Sequence, residues 1–463
     1  MKQKLFDDFE KVSAKAWKQK IQYELKGADY NQNLVWESPE GIKVKPFYHA
    51  DDLQNPIAHT TEKQTPWKIT QSITVNDSSK ANKNALNALK GGAESILFTL
   101  PSPAIDYKTL LAQLPTGQKI NVHCEFKSIS TADSIKLTES QPVEAAAVSF
   151  QIDPIGQLAR TGNWFTNMAE DLQLTHKLLQ ASASKERKNS ISIDAALYQN
   201  AGGNRVQQLA YALAHANEYL NWYGSTMETI TFKVAVGSNY FFEIAKIRAL
   251  RRLWKLLATE YGITANCQIE AVPSNRNKTL YDYNMNMIRT TTECMAAILG
   301  GANRVCNLNY DFIYHKNNAF AERIARNQLL LLKKESYFNT LQNPAEGAYY
   351  IESITDQLAE KSLLLFKDIE ANGGFLKQLK YHTVHKKLKE SAQKEQERFN
   401  TSQEILVGSN AYINGSERMK DQLEVHPFGK QRPVKTLIEP ILERRLSEGL
   451  ERERLQTEGW QAR

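Results

Sequence analysis

No stretch of this sequence approaches the roughly 18 consecutive apolar residues that a membrane-spanning helix needs. The opening residues, MKQKLFDDFEKV, carry acids where a secretory leader would have an apolar core. The chain is therefore expected to make no membrane contact and to carry no signal or transit segment. Cysteine is scarce: the four are Cys124, Cys267, Cys294 and Cys306. With no C-x-x-C pair among them, neither a zinc knuckle nor a disulfide framework is expected, and a reducing cytoplasm fits best. Charge of one sign is not in marked excess, at +7 over 463 residues with Lys and Arg scattered among Asp and Glu. A nucleic-acid scaffold has little to rest on at that charge. Also missing are G-x-G-x-x-G after a strand, G-x-x-x-x-G-K-[ST], H-E-x-x-H and G-x-S-x-G. Nucleotide, zinc-protease and esterase readings lose their usual warrant.

What is present is periodicity. Phe6, Phe9, Val12, Trp17, Ile21 and Leu25 recur near the helical period and predict a helix over Leu5–Lys26 stopped by Gly27. Its aromatic stripe needs cover, from the chain's own body or from a partner. An irregular stretch follows, with turns at Gly41, Pro46, Pro56 and Pro66. From Trp67 short β-branched runs alternate with helical segments. The predicted strands are Ile69–Val75, Ser95–Leu100, Ile120–Phe126, Ala147–Ile152, Ser190–Ile193, Thr229–Val236, Cys267–Val272 and Arg304–Asn307. Such alternation predicts an α/β fold, a (β/α)8 TIM barrel, whose usual length of about 250 residues matches Trp67–Asp311; an open doubly wound sheet would give a similar pattern. Beyond Asp311 the chain reads as helical, with amphipathic segments at Phe320–Glu335, Thr355–Asn372 and Phe375–Phe399. The expected organisation is an N-terminal helical arm (1–66), the barrel (67–311), a helical completion (312–400) and a charged, solvated tail or linker remnant (401–463).

Barrel enzymes keep their acids and bases at the C-terminal strand ends. There the predicted strands offer two carboxylates, Asp153 and Asp194, and none of the nine histidines. A carboxylate pair can do acid/base work, but Asp at a strand end equally serves as a helix N-cap. Glu424-Val425-His426-Pro427-Phe428-Gly429 comes close to the D-x-H-x-x-G run by which cobalamin-binding domains present a histidine to cobalt. That role requires a whole flavodoxin-like domain around the histidine, and Lys430–Arg463 are too few to build one.

Longer phrases are more specific. Leu25-Lys26-Gly27, the run from Glu40-Gly41-Ile42 through Pro46-Phe47-Tyr48 to Asp51, FFEIAKIRALRRLW (Phe241–Trp254), NMIRTTTECMAAILGGAN (Asn286–Asn303), ERIARNQLLLLKKES (Glu322–Ser336) and NPAEGAYYIESIT (Asn343–Thr355) stand in this order. Together they resemble the methylmalonyl-CoA mutase family from about residue 5 to about residue 400. The resemblance implies a (β/α)8 barrel that, in catalytic members, threads a coenzyme A substrate along its axis. It also implies a separate flavodoxin-like domain holding adenosylcobalamin, for which this chain has no counterpart. Where catalytic members follow a barrel strand with a Gly-Tyr-His run, this chain has Ala195, Ala196 and Leu197. A histidine near the last strand appears as Cys306, and a first-strand tyrosine falls near Ser72. The resemblance therefore implies a small, noncatalytic subunit that binds no cofactor itself and supports a large, adenosylcobalamin-binding partner in a heterodimer. Phe6, Phe9, Trp17 and Ile21 would form the partner interface. The alternative is a substrate barrel completed in trans, with Ser274, Arg276 and Arg289 left to touch coenzyme A.

Overall fold

Strict alternation in the short runs dictates the core. In NVHCEF, SISID and TITFKV one face is apolar and the other polar, so each strand buries its apolar face under helices and turns its polar face the other way. The computed structural model describes residues 9–10, 12–53, 66–101, 105–114, 121–127, 148–180, 190–227, 229–264, 266–340, 343–429 and 434–460. The strands are β1 (Lys68–Thr74), β2 (Ser95–Leu100), β3 (Asn121–Phe126), β4 (Val148–Ile152), β5 (Ser190–Asp194), β6 (Thr229–Val236), β7 (Asn266–Pro273) and β8 (Arg304–Val305). They pair in parallel in sequence order, and β8 pairs with both β7 and β1, closing a barrel. The fold is thus a (β/α)8 TIM barrel, as the alternation predicts. The last strand keeps only two of its four predicted residues, Arg304 and Val305, with the Cys306 N–H still bonded to the Ala271 carbonyl at 2.9 Å.

Helices cover the outside: α2 (Ser78–Lys90), α3 (Tyr107–Leu111), α4 (Pro154–Thr161), α5 (Met168–Gln180), α6 (Ala196–Asn200), α7 (Arg205–Tyr223), α8 (Tyr240–Glu260) and α9 (Met285–Leu299). Many start on a short polar cap that accepts a backbone N–H: Asp77, Asp106, Asp153, Asn204 and Asn239. The outward strand residues Ile191, Ile193, Phe232, Val234 and Ile269 join Leu209, Leu213, Ile247 and Trp254 of the helices in one apolar cluster. Further along lie α10 (Ala319–Lys334), α11 (Tyr349–Ala371), α12 (Phe375–Lys380) and α13 (Thr383–Asn400). The single helix predicted over Phe375–Phe399 is broken in two, because His382 adopts a left-handed backbone at φ 59°.

The N-terminal helix α1 is Ala14–Glu24, shorter than the predicted Leu5–Lys26, and buries none of its residues. Phe9, Trp17 and Tyr23 are exposed. Phe6 lies outside the described residues. The chain after α1 is anchored where Glu40 Oε1 meets Arg205 Nη1 at 2.9 Å, and Arg205 in turn pairs with Glu243 of α8.

The expectation of a solvated tail after residue 400 is overturned. Met419, Leu455 and Ser447 are fully buried, and Phe428 and Leu446 nearly so. The charged run over 442–458 folds as α14 (Glu448–Thr457) because its charges find partners inside the protein. Arg445 pairs with Glu451 at 2.6 Å with both side chains buried, Glu451 also accepts the Leu280 N–H at 2.8 Å, and Glu458 accepts the Tyr281 hydroxyl at 2.7 Å. Breaking one partner of a buried pair leaves the other uncompensated, at a cost of about 3 kcal/mol. Glu451→Ala is expected to lower the urea midpoint by the equivalent of that loss, whereas an exposed control, Glu453→Ala, leaves it unchanged; equal midpoints for the two would contradict this packing.

Candidate functional site

The inward-facing strand residues make the interior of this barrel ionic. Among the described residues, contacts between strands that are not neighbours cross it. Lys233 Nζ of β6 lies 3.4 Å from Glu125 Oε2 of β3, Arg304 Nη1 of β8 lies 2.7 Å from His123 Nε2 of β3, and Lys68 Nζ of β1 donates to Asn121 Oδ1 of β3 at 3.0 Å. Arg304 also pairs with Glu270 of β7 at 3.0 Å. At the C-terminal end Lys127 Nζ lies 2.6 Å from Glu125 Oε1 and 3.9 Å from Asp194 Oδ2. Arg160 of α4 pairs with both Asp194 and Glu443.

Burial would raise the Glu125 carboxyl, but Lys127 and Lys233 outweigh it and hold the group at about 2. Asp194 is lowered in the same way, with Arg160 and Lys233 overcoming its burial. Lys233 stays protonated because Glu125 and Asp194 outweigh its burial. His123 is pushed well below its ordinary value, first by burial and then by Arg304, so it is neutral. Each ion is thus stabilised by its neighbours across the axis.

Asp153 and Asp194, the two strand-end carboxylates, do adjoin, with the Asp194 N–H bonded to Asp153 Oδ2 at 3.1 Å, but each is already engaged. Asp153 caps α4 through the Gly156 N–H at 2.8 Å and holds His215 Nε2 and the Tyr219 hydroxyl, both at 2.8 Å. His215 Nδ1 lies 3.0 Å from the Tyr198 hydroxyl, and His215, Tyr198 and Tyr219 are wholly buried. This is a structural knot between β4, α6 and α7.

Ala195, Ala196 and Leu197 follow β5 and are buried, Leu197 in the main apolar cluster, so they offer no hydrogen-bond donor to a substrate. Cys306 is buried beside the charged axis, its thiol pushed up to about 12 by burial and then by Glu270; the Ser72 backbone bonds towards it from β1. Ser274 Oγ donates to Asn200 at 3.1 Å. Arg276 is spent on Glu395 and the Arg444 carbonyl, and Arg289 on Thr279, Asn286 and the Val407 carbonyl. The three cationic or hydroxyl groups expected to touch coenzyme A are therefore engaged within the chain.

A resident adenosylcobalamin does not fit the E-x-H-x-x-G run. Glu424 accepts the Lys316 N–H at 2.9 Å and does not orient the imidazole, while His426 Nδ1 lies 2.8 Å from the Phe428 carbonyl and its ring packs on Trp460. Among the described residues no group of three His, Cys, Asp or Glu is arranged to hold a metal ion, and no helix is long and apolar enough to cross a membrane.

Sequence reasoning missed Arg160, Glu443, His215 and the axial set Glu125, Lys233, Glu270 and Arg304. The signal for the last four was the alternation itself, which places polar residues on the inner face of parallel strands that are normally apolar on both faces.

Architecture and lining define the class: a (β/α)8 barrel whose axis is crossed by contacts between its own charged and polar side chains. Comparison with known proteins is more particular. The family model for methylmalonyl-CoA mutase matches residues 103–450. The methylmalonyl-CoA mutase small subunit of Porphyromonas gingivalis is 31% identical over 99% of this chain and 79% of that protein. The small subunit of Streptomyces virginiae is 30% identical over 76% of this chain and 61% of that protein, and the methylmalonyl-CoA mutase of Cereibacter sphaeroides is 29% identical over 89% and 65%. The chain belongs to the methylmalonyl-CoA mutase family.

The axial network sets an acid limit. The folded Glu125 carboxyl sits at about 2, below the value of about 4.3 it has in an unfolded chain. Its contribution is fully present above the unfolded value and is lost as the pH falls from about 4.3 towards 2. The melting midpoint of Glu125→Gln is expected to fall less steeply over that window than that of the unchanged chain; parallel slopes would remove Glu125 from the acid response.

Proposed function

We propose that this chain is the small, noncatalytic subunit of a heterodimeric methylmalonyl-CoA mutase. It supports a large, related subunit that holds adenosylcobalamin and interconverts (R)-methylmalonyl-CoA and succinyl-CoA, a step in propionate metabolism. The observation that carries this reading is the axis itself. Where a catalytic member of the family passes its coenzyme A substrate, Lys233 reaches across to Glu125 and Arg304 to His123. Threading a substrate there would part Lys233 from its counter-charge Glu125, at several kcal/mol, and would take from Arg304 the neutral imidazole that accepts its hydrogen bond.

Two further observations support it. Ala195, Ala196 and Leu197 put alkyl groups where a catalytic member has hydrogen-bonding side chains, which removes polarisation of the thioester. The relatives from Porphyromonas gingivalis and Streptomyces virginiae are themselves named small subunits. The partner surface is the exposed aromatic edge formed by Phe9 and Trp17, with the half-buried Ile21, Phe6 being expected to extend it. Trp17 has a single edge-on ring contact with Phe47, 6.1 Å between centroids, among the described rings. A reducing cytoplasm is the expected compartment, with Cys124, Cys267, Cys294 and Cys306 all free thiols.

The chain purified alone is expected to show no turnover of methylmalonyl-CoA with added adenosylcobalamin and no heat of binding with coenzyme A esters. Saturable micromolar binding to the isolated chain would instead favour a substrate barrel completed in trans. With the large subunit present, the double variant Phe9→Ala, Trp17→Ala is expected to weaken association by about thirtyfold, as for a truncated aromatic hot spot. An unchanged dissociation constant in analytical ultracentrifugation would move the interface elsewhere.

A further inference from the structure

Residues 434–446 cross the C-terminal mouth of the barrel as an extended strap, held from two sides. Its backbone donates to the body at five points: Leu437 and Ile438 to the Gly162 carbonyl at 3.0 and 3.2 Å, Ile441 to Ala159 at 2.8 Å, Arg444 to Asn200 at 3.0 Å and Leu446 to Arg276 at 2.9 Å. In the middle of this run the Glu443 carboxylate is gripped by the Arg160 guanidinium and by Asn200 Nδ2 at 2.8 Å. Arg160 is the same group that holds Asp194 at the end of β5, so the strap is wired directly to the charged axis. Beneath it, the space lined by Glu125, Lys127, Asp153, Arg160, Ser192 and Asp194 amounts to about 20 Å³. That is room for about one water molecule.

The strap's other side is open. Glu439, Ile441, Leu442 and Arg444 border a cavity of about 1070 Å³ whose opposite wall is α13, through Leu388 and Ala392. Across that cavity the strap is tied to α13 by His385 Nε2 to the Glu439 carbonyl at 2.6 Å, by the solvent-exposed pair Lys389–Glu439 and by Gln396 to the Leu446 carbonyl at 3.2 Å. The strap forms no helix or sheet ladder of its own and has free volume behind it, so its ties can be released without breaking the barrel strands.

We propose that the strap is a latch with Glu443 as its catch, opening as one unit into the cavity beside α13 and controlling solute access to the barrel interior from its C-terminal end. The inference stands apart from the proposed subunit role, because it concerns access to the axis and not what the axis does.

Cys306 is the reporter. It lies buried beside the axis, while Cys124 and Cys294 are buried in the apolar layer outside the barrel. In Glu443→Gln, alkylation of Cys306 by a maleimide, read by peptide mass, is expected to accelerate about tenfold, the loss of one charged hydrogen-bond partner. Cys124 and Cys294 keep their rates. In the unchanged chain, hydrogen exchange at Leu437, Ile438, Ile441, Arg444 and Leu446 is expected to proceed together and faster than at β5 and β6. Unchanged Cys306 labelling, or parallel acceleration at all three thiols, overturns the latch. So do strap amides that exchange no faster than the strands, and this measurement stands even where the variant fails to fold.

Discussion

The interaction on which this barrel depends is the meeting of Lys233 and Glu125 across its axis. A lysine and a glutamate withdrawn from water are each costly unless the other is present, and the attraction repays the desolvation only when further partners complete the site. Here Lys127 completes Glu125, Asp194 adds to Lys233, and Arg160 completes Asp194. Remote parts of the chain are thereby committed to one arrangement. The N-terminal end of the axis obeys the same constraint, since Arg304 stands between Glu270 and a histidine kept neutral by its burial and then by the Arg304 charge.

The long phrases that mark the family serve the same economy outside the barrel. In FFEIAKIRALRRLW, Glu243 pairs with Arg205 and Lys246, while Arg248 and Arg252 both reach Glu352 of α11. Lys246 Nζ is buried among Gln199, Gln208 and the Ala235 carbonyl at the end of β6. In NMIRTTTECMAAILGGAN, Glu293 is buried against Lys278 at 2.8 Å. These motifs join helix to helix and helix to strand. Each pair fixes the position of one element against another and leaves the barrel interior untouched.

Most of the barrel was legible because its strands are short, β-branched and separated by capped helices. Ser95–Leu100 and Thr229–Val236 coincide with their predicted limits. What escaped was long-range. Nothing local marks Glu443 as the partner of Arg160, or Glu451 as the acceptor of the Leu280 N–H, since each depends on chain brought back from far along the sequence. The charged run after residue 442 has the composition of a solvated segment, and composition does not record that its carboxylates meet buried amides. For Asp153 and Asp194 the position was readable, but the choice between capping and chemistry was decided by neighbours, His215 and Arg160, that lie on helices.

Gly162 carries a consequence for the order of assembly. It has a left-handed backbone at φ 79°, and a Cβ built there would meet the Ile438 carbonyl oxygen at 2.4 Å, so the two chain segments cross at van der Waals distance with nothing between them. The catch of that segment, Glu443, is separated from Arg160 by 283 positions. On a ribosome releasing the chain from its N-terminus, the barrel strands emerge and can pair well before Glu443 exists. For that interval Arg160 lacks Glu443 and keeps Asp194, while Asn200 keeps its bonds to Ser274 and the Asn275 N–H. The C-terminal mouth of the nascent barrel is therefore covered only once residues 434–446 have been made.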